Sequence, residues 1–353
     1  MARGVRDAGA VAVEVAVADG GDGTLDVLLA ARGSDSRVTR HRVTGPTGKP
    51  VIARLGWLGD DEAVVELAEA SGLRRLDAKA LDALHATSRG TGELIGIALH
   101  AGARNIVVGV GGSACTDGGA GLLQALGGHL TDSGGNEVGP GGVGLEDVEA
   151  IDLSAVRHAL SQSSIEVACD IRSPLLGPQG AARMFAPQKG ASREDAIRLE
   201  RALTHLAAVA AGSGRGDVSG IPGAGAAGGC GFGLALAGAR LVPGARAVCD
   251  LVGLDNALRA ATVAITGEGR LDRQTSTGKA PAEVASRAAA RGLPCIAIAG
   301  TVVDPLPRLF SAALSLDTVD AGRDPMRHTR ALLRRAARQA IDDMRARGYR
   351  SDD

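Results

Sequence analysis

The placement of glycine limits this chain more than any other feature. There are 52 glycines among 353 residues, about twice the usual share. They bunch at Gly20–Gly23, Gly109–Gly121, Gly134–Gly144, Gly212–Gly233 and Gly267–Gly278. Glycine weakens helices and strands, and it belongs where the backbone takes positive φ or passes close to another group. Three of the bunches start where an apolar run stops, after Val17, Val110 and Ile265. Strand, glycine loop and helix in alternation is the rhythm of an α/β protein with a mostly parallel sheet. Ligands of such sheets sit at the carboxyl ends of the strands.

The apolar pattern predicts strands over 10–17, 37–43, 51–57, 105–110, 165–169, 262–266 and 294–299. It predicts helices over 24–31, 91–101, 120–126, 193–211, 281–290 and 324–347. Thr87 or Ser88 is placed to cap the helix from 91, and Ser192 to cap the helix from 193, with Glu194 and Asp195 in its first turn. Leu333, Ala337, Ala340 and Met344 form a stripe on the last helix, read as a face docked on the core. A chain of this length usually divides into two domains.

Composition excludes several classes of function. The net charge of −1 gives no electrostatic grip on nucleic acid. Trp57, Phe185, Phe232, Phe310 and Tyr349 are the only aromatic residues, too few for a base-stacking platform. Cys115, Cys169, Cys230, Cys249 and Cys295 form no C-x-x-C pair; they read as small core residues of a reducing compartment. The uncharged stretch Val218–Ala239 is rich in glycine and contains Pro222, so a loop and short helix are expected, not a membrane span. Residues 1–10 lack the apolar run of a signal peptide, and a cytoplasmic protein is expected.

Five polar motifs remain. Gly109-Val110-Gly111-Gly112-Ser113-Ala114 fits G-x-G-x-x-A, with Asp132 downstream as a ribose ligand. The same motif serves equally well as a plain turn or as an amide cradle for any anion. Thr266-Gly267-Glu268-Gly269-Arg270-Leu271-Asp272, then Gln274-Thr275 and Thr277-Gly278-Lys279, alternates charge with glycine after a strand, but Arg273 and Ala280 rule out a P-loop. Lysine occurs only at Lys49, Lys79, Lys189 and Lys279, and a compact ammonium suits a phosphoryl group at close quarters. Cys169-Asp170-Ile171-Arg172 sets a carboxylate beyond a strand, where a metal ligand or a general base would sit, or a turn cap. Phe185–Gly190 follows and carries Lys189. Thr87-Ser88-Arg89-Gly90-Thr91 offers hydroxyls and a guanidinium to an anionic substrate, or simply starts a helix. Ala18–Thr24 holds Asp19 and Asp22 but lacks the pattern of a calcium loop. There is no HExxH and no G-x-S-x-G. Glycine loops with Asp, Lys and Arg suit phosphoryl transfer, which relies on positioning and charge neutralisation.

Seven stretches then resemble, in order, the type I glycerate kinase family: 15–26, 65–73, 87–95, 109–127, 169–191, 223–231 and 265–285. Cys115-Thr116 stands where the family usually reads Thr-Asn. The family also opens with a strand and a segment such as APDSFKGS, which is expected to be absent because this chain begins within the following helix. The resemblance implies two α/β domains, a Rossmann/flavodoxin-like parallel-sheet domain with a second inserted, and a site in the cleft between them. The boundaries are placed at 1–35 with 257–353 for the first and 36–256 for the insert.

The implied activity is ATP-dependent phosphorylation of glycerate, typically at the 2-hydroxyl, with ATP and Mg²⁺ as cofactors and glycerate as the small-molecule partner. A homo-oligomer is left open; no nucleic acid or membrane partner is expected. Gly111, Gly112, Ser113, Gly267, Glu268 and Gly269 are expected to hold the nucleotide phosphates, with Lys189 or Lys279 on the transferring phosphoryl group. Asp170, Asp117 or Asp272 would hold the metal or accept the hydroxyl proton, with Asp117 and Asp170 the metal pair. Ser88 and Arg89 would bind the glycerate carboxylate, and Asp19 the hinge or the substrate hydroxyls. Two alternatives stay open, a dinucleotide-dependent oxidoreductase built on residues 109–114 and a non-catalytic nucleotide-binding homologue.

Overall fold

The computed structural model describes residues 1–212, 216–272, 275, 279–303, 308–320, 322 and 324–347. The chain separates into two compact units: a terminal unit of residues 1–17 and 249–353, and a central unit of residues 18–248. The N-terminal change of unit comes at 17/18, before the helix Thr24–Arg32, and not at the 35/36 position drawn from sequence.

In the central unit, β1 (Arg37–Thr44), β2 (Pro50–Trp57), β3 (Glu62–Glu66) and β4 (Asn105–Gly109) come first. β5 (His129–Thr131) and β6 (Ala150–Asp152) form a small antiparallel pair, and β7 (Ser164–Cys169) and β8 (Arg240–Pro243) complete the unit. The main sheet has the order β1-β2-β3-β4-β7-β8. β1 and β2 are antiparallel additions, while β3, β4, β7 and β8 pair in parallel. Burial follows that division. The β4 residues Ile106, Val107 and Val108 are all buried, as a parallel strand covered on both faces requires, whereas β1 is mostly exposed or half-buried.

The terminal unit carries β9 (Ala264–Leu271), β10 (Cys295–Val302) and β11 (Ala312–Ser315), a parallel sheet of order β11-β10-β9. The helix Pro325–Ala346 buries Leu332, Ala336, Ala337, Ala340, Ile341 and Met344, so its apolar stripe is a core face, as its spacing predicts. No described helix is long and apolar enough to cross a membrane.

Two expectations need correction. Residues 10–17 alternate like a strand but form none. Ala10 and Ala12 lie against a cluster with Val5, Leu332 and Ile341, and Val15 and Val17 against one with Leu254, Leu271 and Phe310. Val11 and Val13 are exposed. Alternation records which side chains are buried, and only a partner edge supplies the ladder. The second correction concerns Gly267–Gly269, which lie inside β9 and not in a loop after it. A Cβ at Gly267 would stand 2.1 Å from the Ile298 carbonyl oxygen, so this glycine permits close approach of β10.

Candidate active site

At the carboxyl end of the central sheet, Gly109 of β4 is in register with Ala168 of β7. Gly111 and Asp170 each lie two residues beyond that pair. The glycine loop that starts at Gly20 packs onto the same strand ends. The Gly111 amide donates to the Gly20 carbonyl at 3.1 Å. A Cβ on Gly111 would come within 2.4 Å of Gly21 Cα, and one on Gly112 within 2.4 Å of the Asp22 carboxylate. Only glycine allows the two loops to nest so closely. Asp19, half-buried, accepts a hydrogen bond from the Gly21 amide at 3.2 Å. Asp170 is exposed just past β7.

The Gly109–Ala114 segment does not open a helix. The next helix is Ala120–Ala125, with Gly119 at its N-cap in the left-handed region. The dinucleotide fingerprint needs its glycines at a helix N-terminus, and here the Gly111 amide is already engaged. The loop crosses instead to the segment after β3: Ser113 bridges Gly72, and the Leu73 and Ala114 amides donate to the carbonyls of Gly112 and Ser71 at 2.8 and 2.9 Å.

Beneath this loop is a buried polar chain. Lys189, 1% exposed, donates from Nζ to Ser113 Oγ at 2.9 Å and to the Cys115 carbonyl at 2.5 Å. Burial lowers the Lys189 pKa, opposed by Cys115, Cys230 and Asp117 nearby. Asp117 is fully buried and accepts from the Ser88 amide and hydroxyl, both at 2.8 Å, and from the Gly119 and Gly121 amides at 3.1 and 3.4 Å. Desolvation raises the Asp117 pKa, and those four donors oppose the rise. The Ser88 hydroxyl also accepts from the Leu122 amide at 3.0 Å. Ser88 is therefore the N-cap of the helix Arg89–His100 by position, while its side chain is spent on Asp117.

These contacts sort the expected residues. Ser88 has no exposed surface and Lys189 almost none, so neither reaches a ligand directly. Arg89 is exposed at the start of its helix, with Nε 3.4 Å from Glu93. The metal-donor atoms gathered around Asp117 are the thiols of Cys115 and Cys230, all three side chains buried, and Asp170 is not in that group. The two sulfurs are 3.7 Å apart.

In the terminal unit, Glu268, Asp272 and Lys279 do come together. Lys279 Nζ lies 3.6 Å from Glu268 Oε2. Thr275, buried, donates to Glu268 Oε1 and accepts from the Asp272 amide at 3.1 Å. Arg270 Nε is 3.3 Å from Asp272 Oδ2. Lys279 is the N-cap of the helix Ala280–Ala289, an end whose dipole disfavours a cation, and Glu268 offsets that repulsion. Gln274, Thr277 and Gly278 of the same motif lie outside the described residues.

Sequence reasoning missed one group altogether. Glu66, at the end of β3, accepts from the Gly23 and Leu25 amides at 3.1 and 3.0 Å, supplying the cap that Gly23 cannot. Glu69, 4% exposed, meets Arg54, Arg74 and Arg75. Burial alone would raise the Glu69 pKa, but hydrogen bonds from Arg54 and the charge of Arg74 bring it below the usual glutamate value. The available signal was the segment Val65–Leu73, two glutamates in an otherwise small and apolar run.

A profile of the glycerate kinase family matches residues 1–345. A glycerate 2-kinase of Escherichia coli (strain K12) is 45% identical over 320 residues, spanning 87% of this chain and 83% of that protein. A glycerate kinase of Bacillus subtilis (strain 168) is 44% identical over 288 residues, 81% of this chain and 75% of its own. Among solved structures, the "Crystal structure of putative glycerate kinase 2 from Salmonella typhimurium LT2" superposes with a TM-score of 0.82 at 40% identity, covering 98% of this chain and 92% of that one. With the family profile spanning nearly the whole sequence, the chain belongs to the glycerate kinase family.

Proposed function

We propose that this protein transfers the γ-phosphoryl group of ATP to a hydroxyl of glycerate, with 2-phosphoglycerate as the product. The observation that carries this reading is the 45% identity to a glycerate 2-kinase over 87% of the chain. The geometry supports it. Nested glycine loops at the ends of β4 and β7 offer a close-approach backbone surface, and Gly112 is exposed upon it. Phosphoryl transfer asks chiefly for positioning and charge neutralisation.

Within the central unit, Gly112 and Ser113 would contact phosphate oxygens, the Gly111 amide being engaged by Gly20, and Arg89 the carboxylate of glycerate, a pairing suited to a planar guanidinium. Ser88 and Asp117 act behind Arg89 by fixing the start of its helix. In the terminal unit, Lys279 is the cation for the phosphoryl group, held by Glu268 and turned by the Thr275–Asp272 contacts.

Mg²⁺ takes oxygen ligands, usually one or two carboxylates together with phosphates and water. Asp117 does not fit, because it is sealed from solvent and its oxygens already accept four protein hydrogen bonds. Asp170, exposed at a strand end, does fit and would hold the ion. When bound, Mg²⁺ neutralises charge on the phosphates.

An ADP-release assay with glycerate, lactate and glyoxylate as separate acceptors tests the reading, with ³¹P NMR of the product to locate the phosphate. Glycerate-dependent release with lactate and glyoxylate inactive is the expected result; release independent of glycerate overturns it. The oxidoreductase reading is disfavoured by the Gly109–Ala114 loop, which opens no helix.

A further inference from the structure

We infer that Lys189 is a positioning residue that acts through Ser113, fixing the Ser113 hydroxyl as a hydrogen-bond donor to a phosphate oxygen of the nucleotide. The inference rests on the proposed kinase reading and adds a role within it. An ammonium has donors and no acceptor. With Nζ 2.9 Å away, Ser113 Oγ is the acceptor of that bond, so its one proton points elsewhere. Among the described residues nothing accepts it. Ser113 keeps 6% of its surface beside the exposed Gly112, a small opening next to the loop proposed to hold the phosphates.

Lys189 cannot contact the ligand itself, being 1% exposed. Its second donor holds the Cys115 carbonyl at 2.5 Å, so one ammonium pins the loop at two points. Burying a charge is costly unless it is hydrogen-bonded, and Ser113 Oγ and the Cys115 carbonyl are the acceptors that Lys189 finds. Two receiving atoms two residues apart on one loop leave little room for the broad fork of a guanidinium, which explains a lysine in a chain that otherwise favours arginine.

The experiment is a double-mutant cycle on binding, with Ser113→Ala, Lys189→Met and the pair, and with a non-hydrolysable ATP analogue as titrant in the presence of Mg²⁺. Each single variant is expected to raise Kd about tenfold or more, the effect of losing a hydrogen bond to a charged group. The pair is expected to bind no worse than the weaker single variant, because both changes remove the same contact. Losses that multiply, or a Ser113→Ala variant with unchanged Kd, overturn the inference. Should Lys189→Met fail to fold, Lys189→Gln, which lacks the ammonium, takes its place in the cycle, and Ser113→Thr, which keeps the hydroxyl, checks the Ser113 half: near wild-type Kd beside a weakened Ser113→Ala supports the role, and equal weakening of both overturns it. Titration with glycerate alone should be the same for wild type and Ser113→Ala; a selective loss there places the hydroxyl on the acceptor and overturns the assignment to nucleotide. Turnover of the wild type with glycerate is read separately, so failure of the kinase reading is distinguishable from failure of this one.

Discussion

At the scale of single residues, the central unit places charge inside the protein and then satisfies it. Glu69 is the clearest case, a carboxylate with 4% exposure among Arg54, Arg74 and Arg75. Its pKa is lower in the folded chain than in the unfolded one. The unfolded state therefore binds more protons near that pKa, so the stabilisation is present above the unfolded value and is lost as pH falls through the folded one. Glu69→Gln is expected to cost about 2 kcal/mol at neutral pH, since it removes charge-assisted hydrogen bonds to half-buried arginines, of which Arg54 keeps Asp26 and Arg74 keeps Glu66. Urea denaturation of both proteins across pH 3 to 7 checks this; the gap should close towards the acid end, and a gap independent of pH would count against the pairing. The same logic separates residues that look alike in the sequence. Ser88 and Arg89 are neighbours in one polar motif, yet Ser88 is buried on Asp117 while Arg89 faces solvent.

At the scale of elements, glycine decides where segments can touch. The helix Ala226–Ala237 begins with Ala227, Gly228 and Gly229 in the left-handed region. A Cβ on Gly228, whose φ is +68°, would lie 2.1 Å from the Cys115 carbonyl oxygen, the carbonyl that Lys189 holds. Gly228→Ala thus combines strained φ with a backbone clash, and about 3 kcal/mol of destabilisation is expected. A thermal melt against wild type measures it, and an unchanged Tm would show that the seam relaxes at little cost. The helix Arg193–Ala210 illustrates the opposite situation, a purely local signal. Ser192 caps it as the sequence predicts, and Asp195 completes a capping box; Ser192→Ala should lower stability by about 1 kcal/mol, again read from denaturation.

At the scale of the molecule, the catalytic prediction concerns Asp170, proposed above as the carboxylate that would hold Mg²⁺. Asp170→Asn is expected to lower kcat about 100-fold, comparable to loss of a positioned catalytic group, and to raise the Mg²⁺ concentration needed for half-maximal rate. Steady-state kinetics over a Mg²⁺ series test both, and an unchanged kcat removes Asp170 from the mechanism. This assignment was only half legible beforehand. By their letters both were candidate ligands, Asp117 within the glycine loop after β4 and Asp170 directly beyond the apolar run 165–169. Burial told them apart.

Part of this molecule is encoded by short-range physics and can be read from the order of residues. Apolar runs marked β4 and β7, a capping pair marked the start at Ser192, and bunched glycines marked the strand ends where the loops nest. Long-range packing settled which groups share those places. It left residues 10–17 without a ladder, drew Gly267–Gly269 into β9, turned Ser88 inward and set Lys189 under Ser113. The reason is that propensity and spacing act between near neighbours, whereas burial and hydrogen-bond partnership depend on residues far apart in the chain. Ser113 and Lys189 are such a pair, held 2.9 Å apart by the fold alone.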